Sequence, residues 1–431
     1  MTPGGRLAAA IEVLGDIGNR HRPVADALRD WGVSHRFAGS KDRAAIGNIV
    51  YDALRWRLSS AWVMEADTPR ALVLAAVGRH WGLGSEGLAA AIAEDRHAPE
   101  PLSGAERALI DLANLDAAPA HVRGDVPEWL AARIERGLGA DWVAEGQALA
   151  CRPPLDLRVN RLKAERAKVA KALAQFGAGE TPLAPDGLRI APTEAGGRHP
   201  NVQVEPGFQK GWFEIQDEGS QLASLLAGAR PGEQVLDLCA GAGGKTLAMA
   251  AAMDNKGQVF ATDSDRTRLA PIFDRLKRAG TRNVQVRPAG ADLADLGERM
   301  DAVLLDVPCT GTGTWRRRPD AKWRLTERAL ADRLADQAAL LDAAVPYLKP
   351  GGRIVYVTCS LLPDENGDQV RAFLGRHEGF RLVPPSDRLA AASLSDTAAS
   401  VLAGAVGDEG LMLTPHRTAT DGFFVAVMER G

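Results

Sequence analysis

Residues 234–253 read QVLDLCAGAGGKTLAMAAAM. The run opens with apolar and β-forming residues, passes a glycine-rich turn, and continues into Ala, Leu and Met, which favour helix. It therefore predicts a strand, a tight turn and a helix in immediate succession, the unit from which parallel sheets are built. The stretches that follow repeat the unit. GQVFATD is a second strand and RTRLAPIFDRLKRAG a helix across Pro271. NVQVR and DAVLLD are the third and fourth strands, a long helix spans about 326–347, and GGRIVYVTC is the fifth strand. GFRLVP and DGFFVAVM close the series. This alternation predicts a doubly wound, mainly parallel sheet from about residue 216 to the end.

Upstream the pattern changes. GGRLAAAIEVLGDIGN sets Leu7, Ile11, Leu14 and Ile17 on one helical face, and SKDRAAIGNIVYDALRWRL does the same with Ile46, Ile49, Val50 and Leu54. Ser40 is the expected N-cap of the latter. Strand signals are scarce before residue 145, which predicts an all-α domain over 1–145. Pro153 and Pro154 then interrupt the chain. LDLRVN, DGLRIAP and GWFEIQ read as short strands around a helix in KAERAKVAKALAQFG, predicting a small α+β module over 146–215 and a third domain over 216–431.

Composition bounds the possibilities. The 431 residues are 45% hydrophobic and 25% charged with a net charge of −3, an ordinary globular balance that excludes a broadly basic nucleic-acid binder but not a local basic groove. There is no apolar run long enough to span a membrane and no signal-peptide pattern at the N-terminus, so a cytoplasmic protein is expected. The four cysteines, Cys151, Cys239, Cys309 and Cys359, lack CxxC pairing, so no metal site is expected and free thiols are.

The glycine turn fits neither common nucleotide motif. A phosphate-binding P-loop requires glycine five positions before Gly244, where Cys239 stands, and a dinucleotide fingerprint begun at Gly241 requires glycine where Thr246 stands. A tight turn with no ligand would account for the glycines alone. However, Asp263 ends the next strand, where a carboxylate can hold ribose hydroxyls. Glycines for close approach plus a ribose acid, without a pyrophosphate cradle, suit S-adenosylmethionine.

Two thiols fall at adjacent strand ends: Cys309 in LLDVPCTGTG and Cys359 in VYVTCSLLPDEN. Either alone reads most simply as a small core residue. Together, with Asp306 three residues before Cys309 and a methyl donor beside them, they fit covalent activation of a pyrimidine. A thiolate adding to C6 makes C5 nucleophilic, and a base later removes the C5 proton. The segment WRRRPDAKWR, 315–324, reads as a basic, aromatic loop able to hold phosphates and stack on an unpaired base.

Four segments, FEIQDEGSQLASLL, VLDLCAGAGGKT, LLDVPCTGTGTWRRRPDAKW and YVTCSLLPDEN, resemble the RNA cytosine-5 methyltransferases of the NOL/NOP/Sun family, in particular the bacterial RsmB type. KDRAAIGNIVYDALR gives the N-terminal region a similarity to that type's NusB-like domain. The resemblance implies a Rossmann-like class I fold and methylation of cytosine C5 in RNA, 16S rRNA first of all, by a monomer. It implies Cys359 as nucleophile, Cys309 as the residue assisting release, Asp306 at the cytosine ring and Lys245 beside Asp306. It implies a cofactor pocket of Cys239, Ala240, Gly241, Ala242, Gly243, Gly244, Lys245, Asp263 and Asp306, with Asp292 for the adenine. The family has Ala-Pro where this chain has Gly241-Ala242. Two other readings stand beside it: a DNA cytosine-5 enzyme using Cys309, and a non-catalytic RNA-binding assembly factor.

Overall fold

The computed structural model describes every residue except 94 and 196. It divides into two compact units. The first comprises Met1–Pro153, Pro192–His199 and Trp315–Leu325; the second comprises Pro154–Ala191, Pro200–Thr314 and Thr326–Gly431. The helical region thus runs past the expected limit at 145, to the helix Trp142–Ala150, and it recruits two distant segments. The strands of the small α+β module fall in the same compact unit as the large sheet.

In the first unit the expected faces are largely realised. Leu7, Leu14, Ile46, Ile49, Val50 and Leu54 are buried in one core, while Ile11 and Ile17 pack partly against it. The helix Ser40–Arg55 starts at Ser40 instead of being capped by it. Gly39 is the N-cap, and its N–H donates to Asp42 Oδ2 at 3.2 Å. Asp42 supplies the acceptor that satisfies an orphan donor at the helix start.

The segment 315–325 is the main correction to sequence reading. Trp315, Arg316 and Lys322 are buried against the helices of the first unit, so they are not part of an open phosphate-binding loop. Lys322 Nζ donates to the Arg55 carbonyl at 3.1 Å, Trp323 Nε1 donates to the Leu54 carbonyl at 2.7 Å, and Arg55 Nη2 donates to the Arg316 carbonyl at 2.8 Å. Aromatic bodies and the aliphatic stems of basic residues bury well when their polar tips find partners. Arg318 and Arg324 remain exposed.

The second unit begins with β1 (Leu155–Val159), β2 (Gly179–Glu180), β3 (Gly187–Ile190) and β4 (Phe213–Ile215), an antiparallel sheet in the order β2-β3-β1-β4. The large sheet contains β5 (Gln234–Asp237), β6 (Gln258–Ala261), β7 (Val284–Val286), β8 (Met300–Asp306), β9 (Leu348–Thr358), β10 (Phe380–Leu382), β11 (Leu411–Leu413) and β12 (Phe423–Arg430). Its order is β10-β12-β9-β8-β5-β6-β7, with β11 paired to β12. The strands from β5 to β9 pair in parallel, whereas β12 runs antiparallel to β9. This is the Rossmann-like, doubly wound sheet that the alternation of strands and helices predicts. β11 was not legible in the sequence. The helix expected across Pro271 is broken there into Arg266–Leu269 and Ile272–Ala279, because proline has no N–H to continue the ladder.

The strand order reverses between β5 and β8: β6 and β7 extend to one side, β8 and β9 to the other. A crevice opens at such a switch point beyond the carboxyl ends of the strands. The glycine turn follows β5, Asp263 follows β6, Asp306 ends β8, and Cys359 follows β9.

Candidate active site

The glycine turn is held from three sides. Ala240 N donates to the Thr262 carbonyl at 2.9 Å, Gly243 N to the Ala240 carbonyl at 2.8 Å, and Arg275 Nη1 to the Ala242 carbonyl at 2.8 Å. Arg275 is itself fixed by Glu214 of β4 at 3.0 Å, so the small module braces the turn. Gly243 has φ of 83°, and a Cβ there would stand 2.5 Å from Ile272 Cγ1. Glycine is therefore required twice over, by conformation and by close approach. Gly244 begins the helix Gly244–Ala252, whose first N–H groups face the crevice end of β5.

Asp263 is buried, and its two oxygens accept Gly241 N and Asp265 N, both at 2.9 Å. Each oxygen retains a second lone pair. The carboxylate thus both shapes the turn and stands beside it. Asp292 is different. It is exposed, its Oδ1 accepts Ala294 N at 2.9 Å, and its charge adds to burial in raising the Tyr347 phenol.

Lys245 Nζ donates to Asp306 Oδ2 at 2.6 Å and lies 5.1 Å from the centre of the Phe423 ring. Lys245 is buried, while Asp306 keeps 35% of its side chain exposed. One oxygen of Asp306 is thereby neutralised and oriented while the group stays open to the crevice. Cys239 is buried, and desolvation together with Asp237, Asp306 and Asp263 pushes its thiol far up, so it contributes backbone and volume without a thiolate.

The two strand-end thiols meet. Cys309 Sγ and Cys359 Sγ are 3.4 Å apart. The pKa of Cys309 is raised well above an ordinary thiol by its hydrogen bond to Cys359, by burial, and by the charges of Cys359 and Glu365. A thiol so raised favours its protonated form, and at this distance either sulfur can donate to the other. The Cys359 carbonyl accepts Gly313 N at 2.9 Å, which ties the β9 end to the loop after β8.

Several residues escaped sequence reading. Asp237 is buried at the end of β5, its Oδ2 accepting Thr246 Oγ1 at 2.7 Å and its Oδ1 without a hydrogen-bond partner. Burial and the nearby Asp306 raise it to about 7. Glu365 and Asn366, which close the quoted stretch VYVTCSLLPDEN, are buried and bonded to the two cysteine-bearing segments. The only available signal was an acidic and amide pair directly after the strand, which a solvated turn would show equally.

Residues 224–429 match the family profile described as 16S rRNA methyltransferase RsmB/F, and residues 126–194 match its ferredoxin-like domain. Over 70% of the chain the sequence is 36% identical to the probable ribosomal RNA small subunit methyltransferase B of Synechocystis sp., covering 66% of that protein. It is 38% identical to ribosomal RNA small subunit methyltransferase B of Pectobacterium atrosepticum, covering 65% of that protein. The aligned part thus spans slightly less than two thirds of these relatives. The crystal structure of PH0851 superposes with a TM-score of 0.71 at 27% identity, covering 100% of this chain and 99% of that one. With the paired thiols, the glycine turn and the strand order all in place, the chain belongs to the RsmB/F methyltransferase family.

Proposed function

We propose that this protein transfers a methyl group from S-adenosyl-L-methionine to C5 of a cytosine in RNA, with 16S rRNA as the substrate, through a covalent bond between Cys359 and C6. The observation that carries the reading is the thiol pair: two sulfurs 3.4 Å apart, just beyond the carboxyl ends of the adjacent strands β8 and β9. The family description and the names of the relatives support ribosomal RNA as the substrate class.

The residues present fit the cofactor. Gly241 and Gly243 hold a backbone conformation that allows close approach, Asp263 has free lone pairs for ribose hydroxyls, and the start of the Gly244–Ala252 helix offers N–H groups. When bound, the sulfonium supplies an electrophilic methyl group. The chain's own residues do the remaining work. Cys359, as thiolate, adds to C6, which moves the ring electrons toward C5. Asp306, held by Lys245, shares a proton with N3 of the ring, which lets the ring take up the electron pair that the thiolate brings. Once C5 carries the methyl group, its proton must leave and the C6–S bond must break. Cys309 gives its proton to the departing Cys359 sulfur and takes up the C5 proton. One proton then passes to solvent and restores the Cys359 thiolate. A cytosine stacked in a duplex hides C6, so the target base is unpaired or flipped.

A DNA enzyme would use Cys309 as nucleophile and has no need for a thiol at Cys359. A non-catalytic assembly factor has no need for either. The test is transfer of labelled methyl from S-adenosylmethionine to 16S rRNA and to duplex DNA, followed by mapping of the modified base. Label on C5 of an RNA cytosine is expected. Label on DNA alone, or on neither, would overturn the reading.

A further inference from the structure

The separation of the two thiols needs a physical cause, because Cys309 and Cys359 sit on different loops and nothing covalent joins them. Glu365 and Asn366 supply one. The Glu365 side chain is fully buried. Its Oε1 accepts Thr310 N at 2.8 Å and Gln337 Nε2 at 2.9 Å, and its Oε2 accepts Thr310 Oγ1. Gln337 Nε2 also donates to the Pro308 carbonyl at 3.0 Å. The residues on both sides of Cys309 are thus gripped. Asn366 does the same for Cys359. Its Oδ1 accepts Thr358 Oγ1 at 2.5 Å, and its Nδ2 donates to the Ser360 carbonyl at 2.9 Å. The Tyr356 hydroxyl, donating to the Glu365 carbonyl at 2.6 Å, pins the backbone between the two grips.

A buried carboxylate is a poor device for stability alone, since desolvation opposes it and an apolar residue would pack as well. It is a good device for direction: several donors converge on fixed oxygens. Because Glu365 and Asn366 are consecutive, one peptide unit couples the two loops. We infer that Glu365 and Asn366 are the positioning residues that hold the two thiols at working distance, Glu365 through the Cys309 loop and Asn366 through the Cys359 strand end. The inference rests on the proposed roles of the thiols only for its catalytic consequence; the spacing itself can be tested without RNA.

The spacing test uses diamide, a two-electron oxidant that takes the hydrogens of both thiols and leaves a Cys309–Cys359 disulfide. Its rate is followed by peptide mass spectrometry in the full chain, with alkylation of the exposed Cys151 as a reference for global change. Glu365→Gln and Asn366→Asp should each slow bridge formation about tenfold, the scale of a lost charge-assisted or buried hydrogen bond, with the Cys151 rate unchanged. Thr310→Val removes one strand of the grip without disturbing the charge, and it carries the test should Glu365→Gln fail to fold. With RNA, Glu365→Gln should slow breakdown of the covalent complex and let it accumulate, whereas Asn366→Asp should slow its formation. A merely structural role would slow both steps alike. Bridge formation at the wild-type rate in all three variants overturns the inference, whatever the RNA assay gives. Slowed bridging in a protein whose wild type transfers no methyl group to RNA supports the spacing role and overturns the proposed function instead.

Discussion

Cys309 and Cys359 are the same residue type in nearly the same place, and the proposed function gives them different work. Cys309 is held protonated by burial, by its hydrogen bond to Cys359 and by neighbouring negative charge; a protonated thiol is a poor nucleophile but a competent proton donor. Cys359→Ser should therefore abolish transfer and form no adduct, because a serine hydroxyl is almost never ionised at neutral pH. Cys309→Ala should still attack and methylate, then stall, accumulating a protein–RNA complex that runs slowly on a denaturing gel. The opposite pattern would exchange the two roles. Asp263→Ala should weaken S-adenosylmethionine binding by about 1–3 kcal/mol through unpaired ribose hydroxyls, read by calorimetry; unchanged affinity removes Asp263 from the pocket. Asp237 makes a pH prediction. Its folded pKa of about 7 lies above the ordinary 3.8, so between these values the folded chain keeps a proton that the unfolded chain has released. Its contribution to stability is fully present below the lower value and is lost as pH rises through the upper one. Asp237→Asn should therefore gain on the wild type in urea titrations as pH is raised from about 4 to about 7. A constant difference across that window would mean that the carboxyl is already ionised.

At the scale of the element, the β5 turn and the helix behind it are one construction. Gly243 is left-handed and lies against Ile272, the first residue after the break at Pro271. The break lets the helix Ile272–Ala279 turn so that Ile272 closes on the turn while Arg275 reaches the Ala242 carbonyl. Gly243→Ala should cost both conformational strain and overpacking, about 2–4 kcal/mol together. Gly177 is a control: its φ is 68°, yet nothing lies within 4 Å of a Cβ there, so Gly177→Ala should cost about 1 kcal/mol. Equal losses in denaturant melts would show that Ile272 gives way freely and that the turn is not braced.

At the scale of the whole molecule, the segment 315–325 leaves the second unit at Thr314 and returns to it at Thr326, and between these points it belongs to the helical unit. Lys322 is its buried anchor. Burial lowers its ammonium to about 8 despite Asp125, and its Nζ is satisfied by the Arg55 carbonyl. Lys322→Ala removes packing and leaves that carbonyl unpaired, which should destabilise the helical unit by about 2–4 kcal/mol. Differential scanning calorimetry would register this as a lower transition for that unit, and an unaltered trace would return the segment to the surface. Arg318→Ala, at an exposed position, should leave the same transition unchanged.

The alternation of strands and helices, the glycine turn, and the placing of Cys309, Cys359, Asp306 and Asp263 at strand ends were all legible in the sequence. They follow from periodicity and turn chemistry, which act over a few residues, and from the rule that parallel strands deliver their carboxyl ends to one edge. The tertiary structure alone decided which side chains those ends would meet. It brought two sulfurs 50 positions apart to 3.4 Å, and it set Glu365 on the Thr310 loop 55 positions away. It also turned a tryptophan- and arginine-rich segment inward onto helices some 260 positions earlier. A local stretch carries its own hydrophobic period, but not the surface that will cover it. A buried cation or carboxylate is recognised only once its distant partner is in place, and for that reason WRRRPDAKWR read as an open loop and Glu365 gave no sign of its burial.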